Sequence, residues 1–155
     1  MNNSFITKQV SKIVEEHKSE FPRNIALASC WIIANFKGIN IKIFDVQGSS
    51  SLCDYNIIAS AQNTTQARAI VDMLTPALKE NEQEILSIEG MNEADWILVD
   101  VGDVIIHIFL ETSRDIFDLD TLWKSFPQIQ IPEEYYFSTP EAASSAPSDP
   151  TSNYF

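Results

Sequence analysis

The chain has 155 residues and a formal net charge of −12, from 10 Lys+Arg against 22 Asp+Glu. That balance excludes a generic phosphate-backbone binder, which needs a dense basic face, and a surface drawn to anionic lipid. With 45% hydrophobic residues the chain has the means to build a core, and its length suits one domain plus a terminal tail.

Phe5, Ile6, Val10, Ile13 and Val14 recur at spacings of three and four, with charged residues between them, which predicts a first helix. Pro22 breaks the chain. A second helix is expected from about Asn24 to Lys37, ending at Gly38. It is apolar almost all round and so needs cover on more than one side. Its apolar run from Ile25 to Phe36 is well short of the roughly 20 residues that cross a bilayer. Leu27-Ala28-Ser29-Cys30 has the look of a lipoprotein cleavage site. The apolar run continues past it through Trp31-Ile32-Ile33, and Glu15, Glu16 and Glu20 lie upstream, which fits a buried helix instead. Cys30 and Cys53 are too few for a disulfide framework, so the expected compartment is reducing and cytoplasmic.

Ile39 to Val46 alternates as a strand, Gly48-Ser49-Ser50-Ser51 is a loop, and Tyr55 to Ser60 is a short, mostly apolar strand expected at the sheet centre. Thr64 or Thr65 is the expected cap of a third helix with the stripe Ala67, Ile70, Val71, Leu74 and Leu78. Pro76 within that stripe should kink or shorten it. Ile85 to Ile88 predicts another strand. Helical turns are expected at Ser113–Phe117 and Leu119–Trp123. Beyond Lys124 the chain has no Lys or Arg and five of its seven prolines, and its last fifteen or so residues have the composition of a disordered tail. Alternating helices and strands imply an α/β or α+β layered sheet.

The sharpest local signal is a hairpin. Trp96–Val101 and Val104–Phe109 flank Gly102-Asp103, a two-residue turn that opposes Leu98 to His107 and Trp96 to Phe109. Alternation then puts six aliphatics (Ile97, Val99, Val101, Val104, Ile106, Ile108) on a core face. The other face carries Trp96, Leu98, Asp100, Ile105, His107 and Phe109. Aromatics ringed by a few charges are the make-up of a protein-binding patch. The plainer reading is that this face packs under the N-terminal helices, with Asp100 and His107 paired internally.

The chemical readings are thinner. Asp100, Asp103 and His107 are competent metal ligands, but the hairpin register separates them and no Cys or His cluster has diagnostic spacing, so no metal or cofactor is expected. Gly48-Ser49 after a strand invites a nucleotidyltransferase reading with Asp45 or Asp54. Such chemistry needs two closely spaced carboxylates on the next strand, and Asp54 stands alone before Tyr55-Asn56-Ile57-Ile58. Cys53 beside Asp54 is a poor nucleophile. His17 has the setting of a solvated side chain, and Trp31, Met73 and Trp123 those of packing residues.

Three stretches carry a family resemblance: Phe44-Asp45-Val46-Gln47-Gly48-Ser49-Ser50 with Asp54-Tyr55, Ala94-Asp95-Trp96 through Ile106-His107, and Asp118-Leu119-Asp120-Thr121-Leu122-Trp123. The chain resembles the ribosomal silencing factor family (RsfS, Iojap-like) from roughly Asn24 to Trp123. The resemblance implies an α/β fold, a mixed sheet flanked by helices, nucleotidyltransferase-like without the catalytic carboxylates. It implies a non-enzymatic role: binding the fourteenth protein of the large ribosomal subunit, blocking small-subunit joining and lowering translation in starvation or stationary phase. It also implies possible homodimers off the ribosome, and a partner face that includes Trp96, Asp100, Asp103 and His107. Leu98, Ile105 and Phe109 join them from the hairpin argument.

The sequence departs from the family pattern at Asn56, Ala61-Gln62-Asn63 and Thr65. On this basis residues 1–23 are a helical extension, 24–124 the family domain and 125–155 an acidic Pro/Ser-rich tail. The rival functions are a nucleotide-processing enzyme and a homodimeric scaffold. Neither membrane attachment nor direct nucleic-acid recognition is expected.

Overall fold

Seven consecutive buried residues, Tyr55–Ala61, can exist only where a strand has neighbours on both edges and cover on both faces, and this strand, β2, sits inside the sheet. The computed structural model describes residues 3–137. In chain order the elements are α1 (Asn3–Glu16), α2 (Arg23–Asn35), β1 (Ile39–Asp45), β2, α3 (Thr64–Glu80), β3 (Ser87–Glu89), β4 (Trp96–Asp100) and β5 (Val104–Leu110). Then follow α4 (Glu111–Phe117), α5 (Leu119–Leu122) and β6 (Gln128–Ile129). The sheet order is β3-β4-β5-β2-β1-β6; β2 and β5 run parallel and the other four pairings are antiparallel. The fold is thus mixed α/β, a six-stranded sheet flanked by helices.

α2 buries eleven of its thirteen residues because it is sandwiched between the sheet and α1, which contributes Ile6, Val10 and Ile13 to the same core. The helix ends against Gly38, where a Cβ would strike the Ile33 side chain. α3 lies on the same face and buries the expected stripe. Its cap is Asn63, one residue before the two threonines: the Asn63 side-chain oxygen accepts from Gln66 N at 2.8 Å. Asparagine outranks threonine at this position, and its extended backbone (φ −157) aims the oxygen back at the first turn. Nor does Pro76 shorten the helix, which runs on to Glu80. Pro76 and Asp72 are both exposed, so water can take the place of the missing donor to the Asp72 carbonyl.

The hairpin has the expected register. Trp96 pairs with Phe109, Leu98 with His107 and Asp100 with Ile105, and Val101 N donates to Val104 O at 3.0 Å. Gly102 takes φ +90 in the turn. Ile97, Val99, Val104, Ile106 and Ile108 are wholly buried beneath the helices, and Val101 nearly so.

Beyond Lys124, where the composition changes, the chain still packs. Gln128 and Ile129 pair with Phe44 and Ile43, so β6 covers the outer edge of β1. Tyr135 is buried, and its carbonyl accepts from Asn35 Nδ2 at 3.0 Å. A tail boundary at residue 125 therefore falls inside packed chain. Composition missed this because two strand residues and one buried tyrosine leave no periodic pattern. The disorder expected of the last fifteen residues concerns a segment outside the described residues.

Candidate functional site

On the face of the sheet away from α2 and α3, alternation along four strands lines up Trp96, Leu98 and Asp100 from β4 and Ile105, His107 and Phe109 from β5. Asn56, Ile58 and Ser60 join them from β2, and Lys42 and Phe44 from β1. The cover here is not the N-terminal helices. It is the short C-terminal run of α4, α5 and the turn after them, whose Leu119, Trp123 and Phe126 pack with Phe44, Val46, Cys53, Ile58 and Phe109 into a second, smaller core. Trp123 meets Phe44 at a ring distance of 5.8 Å and His107 at 5.5 Å.

One arginine clamps this cover. Arg114 is buried, and its guanidinium forks onto Asp120 at 2.9 and 3.0 Å. Its third nitrogen donates to Ser60 Oγ and to the Asn40 carbonyl, both at 2.8 Å. That carbonyl belongs to a bulge in β1 between Ile39 and Lys42, where Asn40 takes φ +51. Lys42 adds a second cation to Asp120 at 3.0 Å. The Arg114 hydrogen bonds hold the Asp120 carboxyl low, at about 2, against the opposing effect of burial. Arg114 bears no motif of its own; Asp120, in the Asp-Leu-Asp-Thr-Leu-Trp stretch, is the only sequence trace of the clamp.

Phe109, expected on a partner surface, is completely buried: it stacks on Trp96 at 4.9 Å and belongs to the smaller core with Phe44 and Ile58. His107 is 5% exposed, so it too supports the surface from behind. It pairs with Trp96 and not with Asp100: the indole Nε1 donates to His107 Nδ1 at 3.1 Å, and His107 Nε2 meets Asn56 Oδ1 at 3.3 Å. Burial pushes the His107 pKa down to about 4.

Trp96, Leu98 and Ile105 stay partly exposed. Asp100 spends one oxygen on the turn, accepting from Gly102 N at 2.8 Å. Asp103 is exposed, while its carbonyl accepts from Asp54 N and Tyr55 N at 2.8 and 3.1 Å, which ties the hairpin tip to the start of β2. Burial, with the charges of Asp100, Asp54 and Asp103, pushes the Cys53 thiol up to about 11, so this cysteine is no nucleophile. Beside these carboxylates a cleft of about 330 Å³ opens between Leu52, Leu98, Ile105, Trp123 and Phe126, with Asn56 and His107 at its lining. Exposed Leu52 lines this cleft, and exposed Phe117, packed on Trp96 at 4.7 Å, extends the apolar surface. Among the described residues no group of three or more His, Cys, Asp or Glu is placed to hold a metal ion, and no helix is long and apolar enough to cross a membrane.

A family model described as "Ribosomal silencing factor during starvation" matches residues 7–154, nearly the whole chain. The chain belongs to the ribosomal silencing factor family. This span is wider than the Asn24–Trp123 stretch in which the motifs lie. Ribosomal silencing factor RsfS of Haemophilus influenzae is 40% identical over 87 residues, 56% of this chain and 85% of that protein. The Bacillus subtilis protein of the same name is 33% identical over 103 residues, 66% of this chain and 85% of its own length. A crystal structure of a protein from Chromobacterium violaceum superposes with a TM-score of 0.64 at 28% identity, covering 73% of this chain and 97% of that one.

Within this family member, the structure brings Trp96 and His107 into direct contact and keeps Leu98, Ile105 and Asp100 on one face. It sets Asp103 at the face's edge and withdraws Phe109 beneath it. Sequence reasoning missed Asn56, Leu52, Phe117 and Phe126, and took Trp123 for packing alone. Leu122-Trp123 was signalled only by its place in the family motif.

Proposed function

We propose that this protein binds the large ribosomal subunit through its fourteenth protein and represses translation by sterically blocking small-subunit joining, with no chemistry of its own. The family it belongs to is named for ribosome silencing, a regulatory role. The observation that carries the reading is the face itself: partly exposed Trp96, Leu98 and Ile105, bordered by Asp100 and Asp103, around an apolar cleft. Desolvated aromatic and aliphatic anchors inside a charged rim are what protein interfaces use. The net charge of −12 adds a direction: a basic ribosomal protein attracts this face, while surrounding RNA repels the rest of the body and narrows the docking orientation. Possible homodimers off the ribosome belong to the same reading, since a face emptied of its partner leaves apolar surface open.

The test is co-sedimentation with purified large subunits. Trp96→Ala and Asp103→Lys should each weaken binding by about 2 kcal/mol or more, roughly thirtyfold, with circular dichroism unchanged. Asp103 is the cleaner charge reversal, because the Asp100 carboxylate also holds the turn. Undiminished co-sedimentation of both variants would sink this site.

A further inference from the structure

Three polar side chains form a line behind the partner face, and the direction of each hydrogen bond along it is fixed by chemistry. An indole N–H only donates, so His107 Nδ1, 3.1 Å from Trp96 Nε1, presents a lone pair. A neutral imidazole carries one N–H, which must then sit on Nε2, facing Asn56 Oδ1 at 3.3 Å. Asn56 is itself buried, and an Nε2–H needs an acceptor, so the amide oxygen and not the amide nitrogen faces the histidine. The reverse amide orientation would set a donor against a donor.

We propose that Asn56 is a positioning residue of the partner-binding face: its amide oxygen holds His107 as the Nε2–H tautomer, and the freed Nδ1 locks the rotation of the Trp96 indole. The functional half of this inference rests on the proposed ribosome-binding role; the tautomer and the indole bond do not. Ring contacts alone leave Trp96 under-determined. Stacking on Phe109 at 4.9 Å and packing on Phe117 at 4.7 Å set its plane, yet a flat ring slides and flips on another flat ring at little cost. One directional bond on the indole nitrogen selects which edge turns outward. His107, at 5% exposure, acts without touching the partner, and Asn56 acts one step further back.

The test begins on the wild type. Long-range nitrogen–proton NMR of the His107 ring at neutral pH should show a protonated Nε2 and an unprotonated Nδ1, with the Trp96 indole proton protected from exchange. A wild-type ring protonated on Nδ1 overturns the proposal whatever the variants do.

Asn56→Leu, close in volume but without the acceptor, should give mixed tautomers and a Trp96 proton exchanging about tenfold faster. It should weaken binding to large subunits about fivefold. His107→Phe should do the same to binding, and the double variant should be no worse than either single one, because all three break one chain. Losses that multiply to about twenty-fivefold would mean independent packing effects and would overturn the relay. If the wild type shows no affinity for large subunits, the ribosome-binding reading fails while the ring spectra still decide the relay.

Discussion

On the helix-covered face of the sheet, Ile97, Val99, Ile106 and Ile108 vanish beneath α2 and α3, and no polar side chain of the hairpin accompanies them. The opposite face, built from the alternate residues of the same two strands, keeps a tryptophan, an aspartate and a histidine and receives only the thin cover of α4 and α5. A continuous aliphatic layer is held by area and close packing, which no single group directs. The aromatic face is held by a few directional contacts: the Arg114–Asp120 fork at one end and the Trp96–His107–Asn56 line at the other. The first face can be generic; the second must be specific, since part of it stays exposed and is not held by close packing.

The contrast can be broken from either side. Ile57→Ala, in the middle of the helix-covered core that also holds Trp31, should cost about 4 kcal/mol in chemical denaturation, while the indole spectra of Trp96 and Trp123 in the surviving folded fraction remain native. A shift in those spectra equal to that of a variant on the other face would show the two faces to be one cooperative core. Arg114→Leu should cost about 3 kcal/mol, because it leaves the Asp120 carboxylate half-buried and unforked. It should also loosen the α4–α5 cover, seen as faster backbone exchange from Glu111 to Trp123. If exchange there is unchanged, the arginine is not the clamp.

Acid separates the two ends of the aromatic face. His107 is held below its ordinary 6.5, at about 4, so the unfolded chain takes up a proton that the folded one refuses. Its contribution to stability is complete above about pH 6.5 and fades as pH falls toward 4, of order 2–3 kcal/mol in all. Asp120 is also depressed, from 3.8 to about 2, so the stability it contributes is complete above about pH 4 and lost as pH falls toward 2. Urea unfolding across pH 2–7 should therefore show two limbs. His107→Phe should flatten the upper one only, and Asp120→Asn the lower one only. A single limb insensitive to His107→Phe would contradict the buried neutral ring.

Much of this was legible in residues. The hairpin register followed from Gly102-Asp103 and strict alternation, and β2 announced its central place by being mostly apolar. The cap of α3 was misplaced by one residue, and Pro76 does not shorten the helix, since the Asp72 carbonyl it leaves without a donor can reach water. The site was legible as a pattern but not as a surface. Periodicity says which residues share a face; it does not say what lies on top of them, and so Phe109 and Trp96 carry the same weight in sequence although the C-terminal cover buries the first and leaves the second partly exposed.

By itself, then, the sequence determined the strands, the pairing of the hairpin, the sorting of aliphatic from aromatic residues and the acidic character of the body. Each is set by neighbours within a few residues or by a simple sum of charges. The tertiary structure alone decided which aromatics stay open and which nitrogen of His107 carries the proton. It also decided that Arg114 would reach from α4 to the bulge at Asn40, and that the chain beyond Lys124 would close the sheet edge. These depend on groups separated by 51 and 74 residues in the chain, brought together only when the sheet and its thin cover are in place.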